Sequence, residues 1–229
     1  MIPPDRTRIK ICGLTREANL DAAVEAGADA IGFVLYPRSP RQVDARRAGE
    51  LARRLPPFVT PVLLFVNATT DEIRQAARAV PGALLQFHGD ESPAACAEQA
   101  AEVGSPWLRA ARIPADGSTG FDLVKFAADF SAARAILLDA QVEGYGGGGK
   151  TFDWSRLPPS VNAHLVLSGG LTPENVGDGI RLLRRRGRSL AVDVSSGVEI
   201  DGPGHKGLKD AGKIQRFIAA VRAADAQAD

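Results

Sequence analysis

Two residues of this chain have the types and neighbours to move protons. Cys12 ends the apolar run Arg8–Cys12, with Lys10 two residues before it. A thiol serves as a base only when its surroundings favour the thiolate. Lys10, one inward layer below on the same strand face, is a candidate electrostatic helper. Asp139 ends a second apolar run, Ala135–Asp139. Desolvation favours the protonated form of a carboxyl, which is the form a general acid needs. Each residue also has a plainer reading: inert packing for a strand cysteine, loop capping for the aspartate. Arg41, in Pro37-Arg38-Ser39-Pro40-Arg41, has the planar fork that grips a carboxylate with two parallel bonds. Its plainer reading is a surface arginine.

Two segments suit a phosphate group. Ser168-Gly169-Gly170-Leu171-Thr172-Pro173 follows one apolar run, and Ser195-Ser196-Gly197 follows another. Glycines let backbone N–H groups approach an anion, and hydroxyls add donors. Turn formation alone also explains glycine there. A third segment misleads. Gly144 through Gly149-Lys150-Thr151 fits the nucleotide-loop pattern G-x-x-x-x-G-K-T. That pattern needs a strand running straight into it and a long helix leaving it. Here residues 140–143 intervene, and Pro158-Pro159 leave little room for a helix. The segment reads as a flexible glycine-rich loop over the site.

Such residues need a frame that brings them together. Short runs rich in Val, Ile, Leu and Phe alternate with longer Ala/Arg/Glu segments. The spacing predicts strands at Arg8–Cys12, Ala30–Leu35, Pro61–Val66, Ala83–Phe87, Trp107–Ala111, Ala135–Asp139, His164–Ser168 and Leu190–Val194. Between them it predicts helices at Arg16–Ala26, Ala45–Leu55, Thr70–Val80, Pro93–Val103, Phe121–Phe130, a short Asp153–Leu157, Pro173–Arg186 and Leu208–Ala224. Ser92 and Thr172, each before a proline, mark helix starts. So does Thr70, before Asp71 and Glu72. Gly27 and Gly187 mark helix stops. Arg184, Arg185, Arg186 and Arg188 read as a solvated helix end rather than a nucleic-acid patch. Eight strand–helix units without a dinucleotide fingerprint favour a single-domain (β/α)8 barrel over residues 1–229, ahead of an open doubly wound sheet. In such a barrel the site lies at the C-terminal strand ends. Side chains two apart share a strand face. On four strands the polar set falls on one parity: Lys10 and Cys12, Gln86 and His88, Asp139 after Leu137, Asp193 and Ser195.

The bulk composition agrees with this and narrows the function. The 229 residues are 45% hydrophobic, with 28 basic and 27 acidic side chains and a net charge of +1. That balance gives no general pull toward nucleic acid or an anionic membrane. No stretch approaches the roughly 20 apolar residues of a membrane span, and the first ten residues hold no signal-peptide core. The two cysteines, Cys12 and Cys96, suggest neither a disulfide framework nor a zinc site. Cys96, in an Ala-rich helical run, reads as a small buried hydrophobe. A reducing cytoplasm fits best.

Lys10-Ile11-Cys12-Gly13-Leu14-Thr15 resembles the opening motif of the phosphoribosylanthranilate isomerases of tryptophan biosynthesis. The similarity continues through Gly32-Phe33-Val34-Leu35-Tyr36-Pro37-Arg38-Ser39-Pro40-Arg41, Gln86-Phe87-His88-Gly89 and Leu137-Leu138-Asp139. It ends with Ser168-Gly169-Gly170-Leu171-Thr172-Pro173 and Asp193-Val194-Ser195-Ser196-Gly197-Val198-Glu199. Phe87 is a mild departure, at a position where an aliphatic residue is expected.

The resemblance implies an Amadori rearrangement of N-(5-phosphoribosyl)anthranilate to 1-(2-carboxyphenylamino)-1-deoxyribulose 5-phosphate, with no metal or organic cofactor. It implies Asp139 as general acid and Cys12 as general base. Arg41 would hold the anthranilate carboxylate, and Gln86, His88 and Asp193 would also contact substrate. Gly169, Gly170, Ser195, Ser196 and Gly197 would hold the phosphate. The assembly expected is a monomer or homodimer without nucleic-acid or membrane partners.

Three rivals have discriminating features. A histidine-pathway aminoaldose isomerase would use two aspartates, which Asp139 and Asp193 could imitate. An indole-glycerol-phosphate synthase would need a lysine–glutamate acid–base pair, which is not placed here. A non-catalytic anion-binding barrel would have no use for Cys12, Asp139 and Arg41 together.

Overall fold

The apolar runs pair side by side in chain order. In the computed structural model, which describes residues 6–114, 121–140 and 152–227, eight parallel strands close on themselves in the order β1 to β8. They are β1 Arg8–Cys12, β2 Ala30–Val34, β3 Thr60–Phe65, β4 Leu84–Phe87, β5 Trp107–Ile113, β6 Ile136–Ala140, β7 His164–Leu167 and β8 Ser189–Val194. Closure comes from β1 against β8, with Lys10 opposite Asp193 and Ile11 opposite Val194. The helices among the described residues are α1 Glu17–Ala26, α2 Ala45–Ala52, α3 Thr70–Ala79, α4 Pro93–Glu102, α5 Leu123–Asp129, α6 Val176–Leu183 and α7 Ala211–Ala226. None of the described helices is long and apolar enough to cross a membrane.

Parity sorts the core into layers. Outward residues such as Ile9, Ile11, Phe33, Phe65, Leu85, Leu138, Leu167 and Val192 join the helices in the main apolar cluster. Inward residues Leu108, Ala110, Leu137 and Val166 plug the lower barrel. Cys12 joins Val34, Leu64 and Val66 in a small cluster toward the mouth. Between plug and mouth lie Lys10, Gln86 and Asp193, all buried. Polar side chains at that depth are costly unless paired, and their partners define the site.

Some predicted boundaries move, for local reasons. β5 continues past Ala111 because Arg112 and Ile113 still pair with Asp139 and Ala140. Arg112 broke the apolar pattern without breaking the ladder. Among its described residues the sixth unit carries a 3-10 turn, Trp154–Arg156, capped by Asp153, in place of the predicted helix Asp153–Leu157. Arg186 supports that turn by donating to the Ser155 and Leu157 carbonyls. The cap of α3 is Thr69, one residue earlier than predicted, in a reciprocal capping box with Glu72. Thr172-Pro173 begins a turn rather than α6: Asn175 Oδ1 takes the Thr172 N–H at 2.8 Å, and the helix starts at Val176. Gly187 is no helix stop, since α6 ends at Leu183. Gly27 and Ser92 behave as predicted, with Gly27 left-handed at φ 98° and Ser92 capping α4. The glycine run of residues 144–151 lies outside the described residues.

Candidate active site

Cys12 and Asp139 both reach the mouth of the barrel from the inward parity, on β1 and β6, and both are almost wholly buried. The thiol has its space because β2 carries a glycine beside it. A Cβ on Gly32 would lie 2.7 Å from Cys12 Sγ and 3.0 Å from Lys10 Nζ. Burial pushes the Cys12 thiol above its ordinary range, while the Lys10 charge pulls it back and Asp193 opposes that pull. The Lys10 ammonium is itself held at 2.8 Å by Asp193 Oδ1. Burial would discharge Lys10, but the charges of Asp193 and the Cys12 thiolate outweigh it and raise its pKa. The base therefore sits over a permanent cation whose charge is shared with a carboxylate.

Asp139 is gripped from the side by β4. His88 Nε2 lies 3.0 Å from Asp139 Oδ2, and His88 Nδ1 lies 3.0 Å from Gln86 Nε2. From the other side comes Gly169, left-handed at φ 78°. A Cβ there would stand 2.6 Å from Ala140 N and 2.8 Å from Asp139 Oδ1. Glycine at 169 thus serves the acid candidate as well as the loop. The β4 loop that carries His88 is fastened in turn. Glu91 accepts from the Asn67 and Gly89 N–H groups and pairs with Arg109 at 2.8 Å. Arg109 also donates to the Phe87 and Gly89 carbonyls and stacks on Phe130.

The two loops predicted for phosphate meet. A Cβ on Gly197 would fall 1.9 Å from the Leu171 carbonyl oxygen, so the β7 and β8 loops pack backbone to backbone. Asn175 Nδ2 braces the first of them through the Gly170 carbonyl at 2.9 Å. Ser196–Val198 forms a 3-10 turn in the second. Among the described residues, the backbone N–H groups of Gly170 and Ser196 donate to no backbone carbonyl. Ser195 Oγ reaches the Cys12 carbonyl at 3.1 Å, which ties the β8 loop to the end of β1.

Three predicted contacts stand differently. Arg41 does form a two-point clamp, but on the protein's own Glu199, with Nε at 2.6 Å from Oε1 and Nη2 at 3.0 Å from Oε2. Those bonds leave the Nη1 side of the fork for other use. Gln86 is fully buried beneath His88, and its amide supports the histidine ring. Asp193 spends one oxygen on Lys10 and the other on Ser168 Oγ at 3.2 Å. It holds the cation below Cys12.

Sequence reasoning missed Lys209. Its ammonium is buried and donates to Glu199 Oε1, the Ser195 carbonyl and Ser195 Oγ, all within 3.1 Å. Burial pushes it down to about 8, against the pull of Glu199. Burial would lift the Glu199 carboxyl, but the Arg41 hydrogen bonds and the Lys209 charge hold it below its ordinary range. Arg41, Glu199 and Lys209 form one charge network joining the β2 loop to the β8 loop. Lys209 falls within the predicted helix Leu208–Ala224, but α7 starts only at Ala211 with Asp210 as its cap, so the lysine sits in the preceding turn and nothing local marks it as buried.

Chemically, the mouth offers a thiol above a cation, a carboxyl coupled to a histidine, an anion-ready pair of loops and a partly committed guanidinium. The sequence comparisons agree with that inventory. A family model described as "N-(5'phosphoribosyl)anthranilate (PRA) isomerase" matches residues 9–220. The N-(5'-phosphoribosyl)anthranilate isomerase of Methylibium petroleiphilum is 60% identical over 222 residues, covering 97% of each chain. The solved phosphoribosyl anthranilate isomerase of Thermotoga maritima superposes with a TM-score of 0.79 at 37% identity, covering 95% of this chain and 99% of that one. A further solved enzyme of that name holds reduced 1-(o-carboxyphenylamino)-1-deoxyribulose 5-phosphate. It superposes with a TM-score of 0.74 at 34% identity, covering 95% of this chain and 99% of that one.

Proposed function

The chain belongs to the N-(5'-phosphoribosyl)anthranilate isomerase family, and from that premise we propose how its own residues carry the reaction. The enzyme isomerises phosphoribosylanthranilate, an aminoaldose, to the corresponding aminoketose in tryptophan biosynthesis. In our reading Asp139 protonates the furanose ring oxygen. The C1′–O bond breaks, its electron pair goes to that oxygen, and the substrate nitrogen forms a Schiff base. Cys12 then removes the C2′ proton to give an enolamine, which tautomerises to the ketone. The observation that carries this reading is the placement of one thiol and one carboxyl on the inward parity at the barrel mouth. The cationic Schiff base formed in the first step favours the thiolate needed in the second. The direct test is turnover of phosphoribosylanthranilate by purified protein with no cofactor added. Absence of turnover by folded protein would overturn the reading.

The phosphate belongs, on this reading, at the paired loops of Gly169-Gly170 and Ser195-Ser196-Gly197. Support comes from their backbone contact and from the N–H groups of Gly170 and Ser196. A crystal grown with sulfate or phosphate is expected to show the anion against those two N–H groups. An anion seated at residues 146–151, with the paired loops empty, would refute the assignment.

Arg41 would hold the anthranilate carboxylate through the edge that Glu199 leaves available. Glu199 and Lys209 fix the guanidinium, so the clamp would be preorganised. Such a contact acts alike in ground and transition states. Arg41→Ala is therefore expected to raise KM by about 10–10²-fold with little change in kcat, the loss of one charge-assisted bond. An unchanged KM with loss confined to kcat would give Arg41 another role.

We further read residues 1–229 as one domain, supported by the closure of the first strand on the last. The cytoplasm is the compartment we propose, supported by two buried free cysteines. Sedimentation velocity distinguishes the monomer from the homodimer.

A further inference from the structure

One polar atom deep in the barrel has no partner. Gln86 Oε1 is buried and accepts no hydrogen bond among the described residues. Unpaired buried polar groups are rare enough that each calls for a reason. The other end of the same amide, Nε2, faces His88 Nδ1, and the opposite ring nitrogen faces Asp139. Gln86, His88 and Asp139 thus form a three-membered chain with two internal hydrogen bonds.

Such a chain has two self-consistent proton arrangements. In the first, the Gln86 amide donates to a bare Nδ1, the ring proton lies on Nε2, and Nε2–H donates to an ionised Asp139. In the second, Asp139 carries a proton and donates it to a bare Nε2. The ring proton then lies on Nδ1, and Nδ1–H needs an acceptor. Rotating the Gln86 amide by half a turn supplies one, because Oε1 moves to where Nε2 was. Each rotamer leaves one end of the amide unpaired, so neither is strongly preferred on the amide's own account. The proton count of the pair decides between them.

We propose that Gln86 is a positioning residue for the general acid. Its amide reverses with the protonation of the His88–Asp139 pair and keeps both states hydrogen-bonded. The proton balance is simple. The loaded pair holds two protons, one on Asp139 and one on Nδ1. The spent pair holds one, on Nε2. The difference is the proton that Asp139 gives to the sugar ring oxygen as the C1′–O bond breaks. The rotamer that leaves Oε1 unpaired is the one the spent state requires. A fixed donor or a fixed acceptor at position 86 would serve one state and penalise the other, as a wrong histidine tautomer does elsewhere. This inference rests on Asp139 being the acid, which the Asp139→Asn variant discussed below tests separately.

The test uses two near-isosteric variants, Gln86→Met and Gln86→Glu, in the otherwise intact chain. Methionine removes both donor and acceptor, and glutamate is a fixed acceptor. The readout is the nitrogen-15 spectrum of the imidazoles, which separates the two neutral tautomers and the cation. The chain has only three histidines, and a His88→Gln variant identifies the signals of residue 88. Wild type is expected to show one neutral tautomer at a time as pH is varied, Nε2–H when the pair holds one proton and Nδ1–H when it holds two. Gln86→Glu should keep Nδ1 protonated at every pH at which wild type shows Nε2–H. Gln86→Met should lose the single-tautomer preference. Both should lower kcat on the order of 10–10²-fold with KM nearly unchanged, less than removal of a proton-transfer group. Identical His88 spectra in wild type and both variants would overturn the proposal, as would kcat within about threefold of wild type. If those results came with an inactive Asp139→Asn, Gln86 would fall and the acid would stand.

Discussion

Cys12→Ser is expected to lower kcat by on the order of 10²–10⁴, the range for losing a positioned proton-transfer group. The substitution keeps the shape of the side chain, so Gly32 still gives it room and Lys10 still lies beneath it. What changes is the ease of ionisation, because a hydroxyl is far harder to deprotonate than a thiol. The thiol is itself pushed upward by burial, with Lys10 working against that rise. The sign of the pH dependence follows. An unliganded site with a raised thiol holds little thiolate at neutral pH, and more as pH rises. kcat/KM of the wild type should climb from neutral into alkaline solution, and Cys12→Ser should lack that climb. Lys209 complicates the upper end, since it gives up its own charge near 8 and is one of the cations that favour the thiolate. Lys10→Met should move the climb to higher pH, because it removes the larger of those cations. Cys12 also packs among Val34, Leu64 and Val66, so Cys12→Ala serves as a control for lost packing. If Cys12→Ser keeps activity within a factor of about three, the cysteine is not the base. His88 would then be the next residue to test, since Asp193 is committed to Lys10 and Ser168.

The barrel was legible because its signal is local and repeated. β1 at Arg8–Cys12 follows the apolar run to the residue, and the parity rule placed Cys12, His88 and Asp139 on the inward face. The misreadings occur where tertiary structure outweighs local chemistry. Arg112 looked like the end of a strand, yet the ladder to β6 carries it onward. Thr172-Pro173 has the chemistry of a helix start, but Asn175 closes a turn first. Side-chain partners were the least legible. Arg41 and Glu199 stand 158 positions apart, and no periodicity links them. Gln86 and Asp193 were correctly placed inside the barrel, but their depth decides what they touch. Parity gives the face of a strand, whereas depth depends on the stagger between neighbouring strands. The two-residue repeat sets Gln86 under His88, and the stagger sets Lys10 beside Asp193.

Asp139→Asn should cost as much as Cys12→Ser, about 10²–10⁴ in kcat, but at a different step. The amide has the volume of the carboxyl, so it fits beside Gly169 and can still accept from His88 Nε2. It has no proton to give at the ring oxygen. Ring opening then becomes the slow step, whereas in Cys12→Ser the slow step is removal of the C2′ proton. Deuterium at C2′ separates the two. The bond to that atom breaks only in the second step, so the isotope should slow Cys12→Ser and leave the forward rate of Asp139→Asn unchanged. KM should move little in either variant, since neither residue holds the phosphate or the anthranilate carboxylate. Activity of Asp139→Asn within about threefold of wild type would remove Asp139 from the mechanism. A large loss with a full isotope effect would place Asp139 in the enolisation instead, with ring opening assigned to another group. The paired result, one variant sensitive to deuterium and one insensitive, follows only if the thiol and the carboxyl act in sequence on one bound sugar.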